Sequence, residues 1–128
     1  MHIITTSKNF EVTEAISEYL DKKIGVVKKY VTETDDSVAF ADVELGKSTS
    51  HHHHAQDMFR VEVNFRYNGQ SYRAVSEKDN LYSAIDDVKD ELVRELDKNK
   101  KRKLHFLHKG GAKVKNMIKG LFRKNDDA

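Results

Sequence analysis

The stretch MFRVEVNFRY, from Met58 to Tyr67, alternates without a break: Phe59, Val61, Val63, Phe65 and Tyr67 fall on one side, Arg60, Glu62, Asn64 and Arg66 on the other. A period of two is that of a half-buried β-strand, whose successive side chains point to opposite faces. Asn68-Gly69 follows at once, a dipeptide that tolerates the positive φ angles of a tight hairpin turn. QSYRAVSE therefore returns antiparallel to it. Such a hairpin has one apolar face to bury, so the rest of the chain has to supply the cover.

The cover is written on either side. Thr13 is placed as an N-cap, and Ile16, Tyr19, Leu20, Ile24, Val27 and Val31 then recur at the spacing of an amphipathic helix. A second helix is expected from near Asp79, with Leu81, Ile85, Val88, Leu92 and Leu96 as its stripe and Asp86, Asp87, Asp90 and Glu91 largely on its wet side. HIITTS at the N-terminus reads as a short strand, and VAFADVEL as another, with Ala39, Ala41, Val43 and Leu45 on one face. The order is β-α-β-β-β-α. Two helices on one face of a four-stranded sheet make a two-layer α+β sandwich, and parallel pairing of the first two strands makes the first helix a crossover.

A chain of 128 residues with 38% hydrophobic content forms most simply one domain with a real core. It has no cysteine, which excludes disulfides, thiolate nucleophiles and cysteine-ligated zinc. No apolar run approaches the roughly 18 residues of a membrane span, and no secretory signal is visible, so a cytoplasmic location without a membrane partner is expected. The net charge of +2 conceals a division. Up to Asp97 there are 12 Lys and Arg against 19 Asp and Glu, a net of −7; beyond it 11 stand against 2, a net of +9. That asymmetry suggests a basic arm for a polyanion on a mildly acidic domain, the alternative being a solvated tail.

Four consecutive histidines, His51 to His54, sit between the second and third strands. Adjacent side chains of an extended segment point to opposite sides, so four in a row do not readily close a tetrahedral shell, and no cysteine or fixed carboxylate spacing supports them. An exposed loop is the expectation, with no metal and no cofactor. There is also no glycine-rich phosphate cradle and no Gly-x-Ser-x-Gly elbow, and no acid/base pair stands out, so catalysis is not expected.

On the second helix, at 100° per residue, Arg94, Lys98 and Lys101 share a narrow arc opposite the apolar stripe, and the ridge continues into KNKKRK with Lys100 and Arg102. Such spacing suits successive RNA phosphates, and no acid occurs from Lys98 to Lys124.

NFEVTEAISEYLDKKI, the following KKY, and above all DNLYSAIDDVKDELVRELDKNK resemble the family of ribosome hibernation promoting factors and ribosome-associated translation inhibitors. The family pattern Asp-x-(Met/Leu)-Tyr-x-Ala-Ile-Asp is met by Asp79, Leu81, Tyr82, Ala84, Ile85 and Asp86, and the likeness runs in element order over residues 1 to 103. It implies a domain that docks on the small ribosomal subunit, in the channel used by messenger RNA and the A- and P-site transfer RNAs. There it would block initiation and preserve idle, whole ribosomes. Arg94, Lys98 and Lys100 match the family's basic residues on helix two, and Lys23 matches its helix-one lysine. Lys22, Lys28, Lys29 and Arg73 join the candidate RNA contacts by position and charge. Val26 departs from the pattern, standing where many members carry a lysine.

Long members of that family continue into a second domain; here residues 104 to 128 instead form a basic extension. AKVKNMIKGLF within it separates Val114, Met117, Ile118, Leu121 and Phe122 from Lys113, Lys115, Lys119 and Arg123, compatible with RNA, an anionic membrane, a protein groove or the sheet's open face. The runner-up function is a general module for double-stranded or structured RNA, with no role for DNA. A metal-dependent enzyme using the histidine loop is a third.

Overall fold

The computed structural model describes residues 1–34, 37–49 and 57–109. The histidine run and the expected amphipathic segment after Gly111 lie outside the described residues. In chain order the elements are β1 (His2–Lys8), α1 (Glu14–Gly25), a short 3₁₀ helix (Val26–Tyr30), β2 (Phe40–Thr49), β3 (Asp57–Tyr67), β4 (Gln70–Lys78) and α2 (Leu81–Lys109). The chain divides into two units, Met1–Glu95 and a second that begins at Leu96, and the boundary falls within α2.

The four strands lie side by side in sequence order. β1 pairs with β2 in parallel, and β2 with β3 and β3 with β4 are antiparallel, so α1 is the crossover between the first two strands. The β3–β4 turn is the expected one: Asn68 has φ 52° and Gly69 φ 75°, the left-handed pair of a two-residue hairpin. Register stacks Val43, Val63 and Ala74 in one row and Ala41, Phe65 and Tyr72 in the next. Of these, all but Tyr72 are buried, together with Leu45 and Val61. The helices lie over this face. Leu20 and Ile24 of α1, Val27 of the 3₁₀ turn, and Leu81, Ala84, Ile85, Val88 and Leu92 of α2 complete the core of the first unit.

Both helix starts are capped as their sequences dictate. Thr13 Oγ1 accepts a hydrogen bond from the Ile16 amide at 3.2 Å. Asn80 Oδ1 accepts from the Tyr82 amide at 2.9 Å and the Ser83 amide at 3.4 Å, satisfying donors that the first helical turn leaves open. Glu14 in the first turn of α1 and Lys22 and Lys23 in its last complement the helix dipole. The end of α1 differs from expectation. The α-helix stops at Gly25 and tightens into the 3₁₀ turn, where the apolar spacing alone carried it to Val31. Gly25 followed by β-branched Val26 and Val27 is a weak helix former, and the tighter turn still buries Val27 while Val31 becomes extended, with φ −129° and ψ 150°. β2 also runs on past Leu45 to Thr49.

Candidate nucleic-acid interface

The seam between the helices is built from the residues of the DNLYSAID motif. Leu81, Ala84 and Ile85 point inward and are buried, which leaves Tyr82 and Asp86 on the flank that meets α1. The Tyr82 ring stands edge-on to Tyr19 with centroids 4.8 Å apart, and Tyr19 Oη donates to Asp86 Oδ1 at 2.7 Å. That bond, helped by partial desolvation and by the charge of Asp86, raises the Tyr19 pKa above the ordinary phenol value. Lys23 completes the group, its Nζ 3.7 Å from Asp86 Oδ1 and 5.4 Å from the Tyr19 ring centroid. Much of the motif therefore holds one helix against the other.

The candidate RNA contacts fall into three sets. On α1 and the 3₁₀ turn, Lys22, Lys28 and Lys29 are exposed and make no ion pair among the described residues, whereas Lys23 is half-buried on Asp86. On α2, Arg94 pairs with Glu91 at 3.2 Å in the first unit. In the second unit, Lys101 pairs with Asp97 at 3.1 Å, and Lys98, Lys100 and Arg102 are exposed with no ion pair among the described residues. Pairs of this exposed, same-helix kind contribute about 0.3–0.5 kcal/mol and do not prevent a phosphate from taking either base.

Arg73 stands apart from the helical sets. It lies on β4, on the side of the sheet away from the core, and its Nε donates to Glu62 Oε1 at 2.6 Å while Nη2 reaches the same oxygen. Glu62 is 9% exposed and is the charged residue that the described part of the chain buries. Arg73 and Arg94 nonetheless line a common groove of about 440 Å³, in which Asp87, Asp90 and Glu91 also take part.

The open face of the sheet is electrically balanced. Lys8 Nζ meets Glu44 Oε1 at 2.8 Å, Arg60 lies 3.7 Å from both Glu62 and Glu77, and Arg66 lies 3.6 Å from Asp42. The Lys8 hydrogen bond and charge hold the Glu44 carboxyl below its usual pKa and raise that of Lys8 in return. Lys8, Arg60, Arg66 and Arg73 thus face Asp42, Glu44, Glu62 and Glu77, so the unneutralised bases belong to the helices. Sequence reasoning placed Arg66 and Glu62 on the outer face but did not pair them, because the partner of a strand residue depends on register. The bond from Tyr19 to Asp86 went unread for a similar reason, since it joins residues 67 positions apart. Among the described residues no three His, Cys, Asp or Glu side chains are grouped to hold a metal, and no helix is long and apolar enough to cross a membrane.

Residues 3–104 match the family model described as Sigma 54 modulation protein / S30EA ribosomal protein. The chain belongs to this family. Curated relatives of this S30EA member include the ribosome hibernation promotion factor of Lactococcus lactis, 30% identical over 95 residues that cover 74% of this chain and 47% of that protein. The protein of the same name from a Picosynechococcus species is 31% identical over 102 residues, covering 80% of this chain and 50% of the other. The chain spans about half the length of these relatives. Among solved structures, the N-terminal domain of Thermus thermophilus Protein Y superposes with a TM-score of 0.62 at 28% identity, covering 75% of this chain and 96% of that one. A ribosomal subunit interface protein from Coxiella burnetii shares the S30EA fold at 21% identity and the same TM-score, over 78% of this chain and 98% of its own.

Proposed function

We propose that this chain is a ribosome-binding hibernation factor, non-enzymatic and cytoplasmic, that occupies the messenger and transfer RNA channel of the small subunit and protects idle ribosomes. The observation that carries the reading is the family match over residues 3–104, coupled with where the free positive charge lies. Lys22, Lys28 and Lys29 in the first unit, and Lys98, Lys100 and Arg102 in the second, are exposed without ion pairs among the described residues, while the sheet's charges cancel. In this reading residues 1–103 bind ribosomal RNA and residues 104–128 are a basic extension to that domain. Lys23 and Arg73 contribute after giving up Asp86 and Glu62.

The test is co-sedimentation of the purified chain with small subunits and whole ribosomes, together with inhibition of translation in vitro. Converting Arg94, Lys98 and Lys101 to Gln should weaken binding and reduce the slope of log K against log salt by up to about three, about one per lost phosphate contact. Absence of both sedimentation and inhibition at low salt sinks the proposal. Binding to naked duplex RNA as tight as to ribosomes would make the chain a general structured-RNA module instead.

A further inference from the structure

His2, Phe40 and Arg66 occupy one row across three strands, His2 opposite Phe40 and Phe40 opposite Arg66. Ala39 and Ala41 on either side of Phe40 are buried against the core, so its ring lies on the open face, where it remains 39% exposed. The His2 imidazole stacks on it, with centroids 5.3 Å apart and planes 24° from parallel. The Arg66 guanidinium carbon lies 5.6 Å from the ring centroid, and 59% of that side chain is exposed. Three planar groups thus stand together on a face that otherwise carries salt bridges and the exposed aliphatic side chains of Ile4 and Val75. Core packing gives no reason for an aromatic ring there.

Beside the row is a groove of about 470 Å³ lined by Val38, Phe40, Arg66, Asn68 and Gly69 among others. Its volume falls within the roughly 300–1,000 Å³ typical of small-ligand sites. The hairpin turn forms part of the wall with little bulk, since nothing lies within 4 Å of where a Gly69 side chain would begin. We infer that this row is a nucleobase-stacking site: an unpaired base of an RNA strand takes the place of the His2 imidazole against the Phe40 ring, with its phosphate toward the Arg66 guanidinium, which gives up Asp42. Base–aromatic stacking of this kind tolerates sequence, because every base presents a π-face, and an arginine adds a cation–π component. The inference rests on the RNA-binding reading but uses a different face of the first unit from Lys22, Lys28 and Lys29.

The experiment titrates the full chain against a short single-stranded RNA carrying 2-aminopurine, whose fluorescence is quenched on stacking, with ribosome co-sedimentation run in parallel. Phe40→Tyr should keep quenching and affinity. Phe40→Leu preserves an apolar side chain but removes the π-face, and should weaken binding by about 5- to 160-fold, the range for loss of one stacked base, without changing the salt slope. Arg66→Lys should also weaken it although the charge remains. Circular dichroism melts of each variant separate these effects from unfolding. Wild-type binding without quenching, or a folded Phe40→Leu that binds as wild type does, overturns the stacking site alone. Quenching that depends on Phe40 in a protein that ignores ribosomes supports the site and removes the hibernation reading. No binding to either probe removes both.

Discussion

Val63→Ala tests the placement of β3 most directly. Val63 is fully buried at the centre of the sheet, with Val43 and Ala74 directly across from it on the neighbouring strands. The substitution removes two methyl groups, a transfer loss of about 1.6 kcal/mol at ~0.8 kcal/mol per group. Ala74 is too short to fill the space and Val43 is fixed on its own strand, so a cavity contribution raises the total to about 2–3 kcal/mol. For a domain of this size that lowers Tm by about 8–24 °C. Asn64→Ala, one residue along and exposed, should stay within about 0.5 kcal/mol of wild type. Urea unfolding followed by far-ultraviolet circular dichroism measures both, and an unchanged m value shows that the unfolded state is the same. Equal effects at the two positions, or a larger one at Asn64, would mean that the strand is turned over or slipped by one residue, and the face assignments above would fall with it.

Asn80→Ala removes the cap of α2 and should cost about 1 kcal/mol, while Asn80→Asp should retain most of it; thermal melts of the pair decide. The Tyr19 pKa is raised, so its bond to Asp86 stabilises the fold fully below the ordinary phenol pKa and ceases to do so as pH rises through the higher folded value. Ultraviolet titration should accordingly show one late tyrosine, absent in Tyr19→Phe, whose stability should fall less steeply at alkaline pH; an unchanged titration curve refutes the bond. Replacing His51–His54 by Ser should leave Tm and ribosome binding unchanged at neutral pH, and a Tm loss reproduced by chelation of the wild type would reveal a structural metal.

What the sequence made legible follows the two structural periods. The alternation of Phe59 to Tyr67 is decided by each residue and its neighbours, so the strand, its inward face and the Asn68-Gly69 turn could be read directly. The 3.6-residue spacing of Leu81, Ile85, Val88 and Leu92 gave the buried stripe of α2 for the same reason. The end of α1 was less legible, because Val27 meets the core equally well from an α-helix or from the tighter 3₁₀ turn. Pairing across the fold was the least so. Arg73 is a candidate base by position and charge and Lys23 by the family resemblance, yet each faces a carboxylate supplied by another element, Glu62 or Asp86. The row of His2, Phe40 and Arg66 needs three strands in register before it exists.

The mixed pairing of the sheet also sets a timetable. β3 finds β4 across a two-residue turn, and the β2–β3–β4 meander needs only neighbouring segments, so its pairing is kinetically local. β1 leaves the ribosome first but has no partner until β2 follows: His2 waits for Phe40, 38 residues later. At roughly 5–20 residues per second that delay is on the order of 2–8 s in a growing chain. During it β1 has no strand partner, and an unpaired edge is a template for another chain. The core-facing Ile3 of β1 meanwhile has only α1 to meet. Variants that slow the docking of β1 should therefore first appear as poor soluble yield, ahead of any loss of Tm in the protein that does fold.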